Sequence, residues 1–211
     1  MKAMMKRFLL AAFLLFFPLL PALAEAPQRP PSVIKAEQYL NGLTTAQARF
    51  LQTAGDGSQA IGTFYLDRPG KLRFEYDDPI EDFVVADGWL IYFYDAQLGE
   101  QTNAPIGQTL ADFLLRPDLS LSGKIRVTEV KRSGNDLMLI TLVQAEDPEA
   151  GAITLGFSEN PMELKKWRVS DSTGAVTEVE LFQLKTGVKL PGELFVYADP
   201  KRAAGVRTYN D

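Results

Sequence analysis

From Thr44 to Leu184 the chain is cut at short intervals by turn signals, "GDG", "RPG", "DDP", "DG", "SGND" and "STG", with segments rich in β-branched and aromatic residues between them. Most of these gaps have room for only about two to five connecting residues, and a parallel crossover needs about a dozen, so neighbouring strands must run antiparallel. Strands are predicted over 44–53, 57–67, 71–76, 82–86, 89–94, 98–103, 124–132, 137–143, 152–157, 164–170 and 176–184. A meander of ten or eleven strands is wide enough to curl toward a barrel.

Two segments break the pattern. In "SVIKAEQYLNGL", Val33, Ala36, Tyr39, Leu40 and Leu43 recur at helical spacing, Ser32 offers an N-cap and Asn41-Gly42 a stop, which predicts a helix over 33–41. Between the sixth and seventh strands, "QTLADFLLRP" places Leu110, Phe113 and Leu114 on one stripe, with Thr109 and Asp112 spaced as a capping box and Pro117 as the stop. This short apolar helix must lie on a sheet face or over an opening.

In "KLRFEY" the even positions Leu72, Phe74 and Tyr76 share one face and the charged residues the other, whereas "WLIYFY" is large on both. Phe64, Leu66, Leu72, Phe74, Tyr76, Phe83, Trp89, Ile91 and Phe93 all ask for burial. Periodicity leaves two readings open: a barrel filled by its own side chains, or an open half-barrel around an apolar cavity.

The chain has no histidine and no cysteine, which removes Ser-His-Asp and Cys-His chemistry, thiolate and imidazole metal ligands, and disulfides. Only carboxylate chemistry remains, with Asp77, Asp78, Glu81 and Asp82 of "YDDPIEDF" either a solvated turn or an acid and base for a hydrolase. Arg68, at a strand end beside Pro69, is either a solvated charge or a fork of donors for the free carbonyls of a helix end.

The first 24 residues carry Lys2, Lys6 and Arg7, an apolar run broken by Pro18 and Pro21, and "ALA" at 22–24. They read as an export signal cleaved near Ala24 or Ala26, leaving residues 25–211 as a single domain. Losing those three basic residues takes the formal charge from −5 to −8, which speaks against nucleic acid as a partner.

The succession "YLNGL", "ARFLQ", "GTFYLDRPGKLRFEY", "VVADGWLIYFYD" and "LGEQT" resembles the LolA family of periplasmic outer-membrane lipoprotein carriers, over about residues 32–198. The resemblance implies an incomplete antiparallel β-barrel of ten or eleven strands under a helical lid, enclosing an apolar cavity for acyl chains. It implies that Arg68 is the lid latch favouring the closed, ligand-free state, with Leu110, Phe113 and Leu114 in the lid and the nine apolar residues named above lining the cavity. Leu72 is aliphatic where the family has a large apolar cavity residue. The implied partners are acylated lipoproteins, an inner-membrane ABC-type releasing complex and an outer-membrane lipoprotein receptor. The implied protein is a monomer with no cofactor, no metal and no enzymatic activity. A related half-barrel that senses another lipid or an envelope stress signal is the alternative.

Overall fold

The computed structural model describes residues 29–107, 112–134 and 136–200; the leader, Thr109 and Leu110 lie outside the described residues. Helix α1 (Pro31–Gly42) is followed by strands β1 (Thr45–Ala54), β2 (Gln59–Asp67), β3 (Lys71–Tyr76), β4 (Phe83–Asp87), β5 (Leu90–Asp95) and β6 (Glu100–Pro105). The one-turn helix α2 (Asp112–Leu115) then leads to β7 (Ile125–Ser133), β8 (Leu137–Gln144), β9 (Gly151–Glu159), β10 (Met162–Asp171) and β11 (Val176–Thr186). Each strand begins and ends within about two residues of its predicted limits.

The helix starts earlier than expected. Pro31 occupies its first turn and Pro30 its N-cap, with no side-chain cap, so Ser32 does not cap it. A proline in the first turn costs no hydrogen bond, because that N–H would have no partner within the helix.

All strand pairs are antiparallel, but the strands do not form one continuous meander. The order across the sheet is β6-β5-β4-β3-β2-β1-β11-β10-β9-β8-β7, so β6 and β7, neighbours in sequence, lie at opposite edges. The segment joining them carries the apolar stripe of α2 and crosses the concave face, because only there can that stripe leave water.

The sheet is strongly curled. Phe74 on β3 and Trp167 on β10 are four strands apart, about 19 Å in a flat sheet at about 4.8 Å per strand. Their ring centroids are 6.1 Å apart, and those of Phe64 and Trp167 are 5.8 Å apart. Even-numbered residues of β1 to β3 (Ala46, Ala48, Phe50, Phe64, Leu66, Leu72) face inward and meet Met138, Ile140, Leu155, Phe157 and Trp167 from the other half in one core. Val33, Ala36 and Leu40 of α1 join that core, as do Phe113, Leu114, Leu115, Leu119 and Leu121.

One close approach fixes the curl. Gly62 stands opposite Phe50 on β1 and Tyr76 on β3, and a Cβ there would lie 2.2 Å from the Glu75 carbonyl oxygen and 2.6 Å from the Phe50 ring. The space instead admits the Phe50 ring, which Phe74 and Tyr76 meet edge-on at 5.1 and 5.3 Å.

Candidate functional site

The site is the concave face together with the elements that cover it. Of the nine residues expected to line it, Phe64, Leu66, Leu72 and Ile91 are buried there, and Phe74 and Tyr76 pack partly buried against the same core. Phe93 shares their face, opposite Val84, but is 40% exposed.

Two expected lining residues lie elsewhere. Phe83 pairs with Glu75, which puts it on the outer face. There it stacks on Tyr94 at 5.1 Å and carries the Arg73 guanidinium over its ring. Tyr197, stacked on Tyr92 at 4.5 Å, joins the same outer cluster, so a C-terminal segment covers Phe83, which sequence alone assigned inward. Trp89 sits in the β4–β5 turn, 83% exposed, because its backbone N–H is drawn into a turn by the Asp87 carboxylate at 2.9 Å.

The lid segment fills what an empty half-barrel would leave open. Phe113, Leu114, Leu115, Leu119 and Leu121 are each at most 4% exposed. Beside Phe113 lies a half-open cavity of about 220 Å³, lined also by Ile125, Leu142 and Ile153 with Arg116, Lys124 and Glu146. At about 30 Å³ for a water-sized group, it has room for about seven such groups.

Polar ties fix the backbone of the lid in place. Arg68 Nε donates to the Arg116 carbonyl at 3.1 Å, and its two terminal nitrogens donate to Arg116, Pro117, Leu40 and Leu43 carbonyls. Leu40 and Leu43 end α1, where carbonyls lack intrahelical partners and carry the negative end of the helix dipole. One side chain thus ties helix, lid and sheet together. Partial burial pulls its guanidinium below the ordinary arginine value, with Asp118 opposing, but it stays charged, and charge-assisted bonds are the strong kind. Two residues along, Gly70 donates its N–H to the Leu115 carbonyl at 2.9 Å with a positive φ of 83°.

Sequence reasoning missed two further ties. Asn41 Nδ2 donates to the Leu119 carbonyl at 2.8 Å while the Leu119 N–H donates to Asn41 Oδ1 at 2.9 Å. Glu37 accepts from the Leu121 N–H at 2.7 Å and also pairs with Arg29. Asn41-Gly42 reads locally as a helix stop, and nothing in the sequence brings residue 41 against residue 119.

Two carboxylates of the acidic turn make structural contacts. Asp77 forms an ion pair with Arg49, whose hydrogen bonds hold its carboxyl below the usual carboxylate value, the reverse of a raised-pKa acid. Asp82 accepts the Ala96 N–H at 2.8 Å.

This arrangement defines a class: an open antiparallel barrel whose apolar interior is stoppered by its own lid and tied by side chains to lid carbonyls. The family model "Outer membrane lipoprotein carrier protein LolA" matches residues 41–198, and the chain belongs to that family. It is 29% identical over 196 residues to the outer-membrane lipoprotein carrier protein of Chromobacterium violaceum, covering 88% of this chain and 94% of that relative. The protein of the same name from Methylococcus capsulatus is also 29% identical, over 199 residues, with 89% and 91% covered. That of Legionella pneumophila strain Corby is 31% identical over 173 residues, with 78% and 84% covered.

Proposed function

We propose that this protein is a periplasmic carrier that takes the acyl chains of lipoproteins into its concave face and moves them to the outer membrane. Export with cleavage near Ala24 or Ala26 leaves a single-domain monomer, which collects cargo from an inner-membrane ABC-type releasing complex and passes it to an outer-membrane lipoprotein receptor. Arg68 is the latch. Phe64, Leu66, Leu72, Phe74, Tyr76 and Ile91 form the lipid-facing wall, with Phe93 at its rim.

The observation that carries this reading is the stopper of five apolar lid side chains, held over an apolar wall by hydrogen bonds to the backbone. Burying each such side chain is worth about 1.5–3 kcal/mol. An acyl chain of about fifteen methylenes, at about 0.8 kcal/mol each, is of the same size. The five lid side chains together thus offset about one chain of a diacylated cargo, which lowers the cost of release and lets a partner drive the exchange. A carrier needs that offset, and a storage protein does not.

Titration calorimetry with a diacylated cysteinyl peptide tests the reading. Saturable binding with a negative heat-capacity change is expected, and none with the deacylated peptide. Equal binding of both, or of neither, overturns it.

A further inference from the structure

Among the described residues the sheet has two unpaired edges, β6 and β7, and the β7 edge borders a groove. Strand β7 pairs with β8 along one side, and among the described residues no strand pairs with its other side. A space of about 580 Å³ lies there, lined by Val33 and Leu121 and by the consecutive residues Ile125, Arg126, Val127, Thr128, Glu129 and Val130. Side chains alternate between the faces of a strand, so a groove on one face would meet only every second residue. Contact with all six means that the groove runs along the free edge, where unpaired backbone N–H and C=O groups point outward.

Ile125 lines both this groove and the cavity beside Phe113, so the two adjoin at that residue. We propose that the edge of β7 is a second binding site, which takes the extended peptide following the acylated residue of the cargo as an added β-strand. This rests on the carrier reading above. With acyl chains in the concave face, a peptide that leaves beside residue 125 runs along the 125–130 edge. Pairing through the backbone reads no side chains, which suits a carrier of cargoes that share a lipid and differ in sequence. Val33, Leu121 and Val130 supply apolar flanks for the alternate side chains that such a strand turns inward.

The test uses the full mature chain and four synthetic ligands: a diacylglyceryl-cysteinyl decapeptide, the same with backbone N-methyl groups at even peptide positions, the same at odd positions, and diacylglyceryl-cysteine amide without peptide. Only alternate residues of an edge strand direct their N–H groups to the sheet. One methylated series is therefore expected to bind on the order of tenfold more weakly, matching the peptide-free lipid, while the other matches the parent. Amide exchange at 125–130 is expected to slow with the parent and not with the peptide-free lipid. Equal affinity of all four, or equal weakening of both methylated series, overturns the edge site and leaves the carrier reading standing. Failure of every ligand to bind overturns the carrier reading and the edge site with it.

Discussion

Asn41 holds Leu119 by both of its backbone polar groups, giving a hydrogen bond to the carbonyl and accepting one from the N–H, across 78 residues of sequence. Each bond is worth about 1 kcal/mol net, and more when its loss strands a part-buried group. Asn41→Ala is expected to lower stability by about 1–3 kcal/mol in urea unfolding. Asn41→Asp, which keeps the acceptor but loses the donor, is expected to fall between the two. Equal stability of wild type and Asn41→Ala would mean that the pair does not anchor the lid.

Trp167 reports on the lid. Its ring is 6% exposed and meets Phe113 edge-on at 6.5 Å, whereas Trp89 is open to water. In a Trp89→Phe background only Trp167 emits as tryptophan, since the chain has two tryptophans. Adding Arg68→Leu is expected to shift its emission to the red and raise its quenching by acrylamide several-fold. Unchanged quenching would show that the lid stays closed without the arginine.

Gly62→Ala is expected to be severely destabilising. The added methyl meets a backbone carbonyl and a ring already packed by two other rings, and neither can give way without breaking the β1–β2–β3 register. Overpacking of this kind costs about 3 kcal/mol or more when backbone must move. A soluble variant with wild-type urea midpoint would contradict the assigned close packing.

Alkaline stability follows from the tyrosines. Burial pushes the Tyr76 phenol up from 10.0 to about 12, and the phenol donates a hydrogen bond to Gln52 Oε1. The folded value exceeds the unfolded one, so its contribution is complete below pH 10 and is lost as pH rises through about 12. Tyr39, Tyr92 and Tyr197 are shifted in the same direction. Urea midpoints for wild type are expected to fall across that window, less steeply for Tyr76→Phe. A wild-type midpoint flat across it would contradict burial of this phenol.

The strands were legible because turn chemistry and alternation are local. "KLRFEY" specifies both a strand and its dry face, and Phe64, Leu66 and Leu72 follow from it. Phe83 and Trp89 were misassigned because alternation gives two faces without saying what covers each. Burial of the outer aromatics depends on Tyr197 and Phe195, more than a hundred residues away. Strand pairing across the sheet was illegible for a related reason: the β1–β11 pair joins residues near opposite ends of the chain. The Asn41 and Glu37 ties could not be read at all, since a helix-stop asparagine and an exposed-looking glutamate carry no signal of a distant backbone.

The central claim is that Arg68 holds a removable lid over an acyl-chain site. The direct measurement is native mass spectrometry with lipid extraction on mature protein purified from the periplasm, wild type beside Arg68→Leu. Acylated lipoprotein is expected on both, with several-fold more retained by Arg68→Leu, because transfer onward depends on the lid closing again. No lipid on either form, even after incubation with triacylated peptide, would contradict the claim.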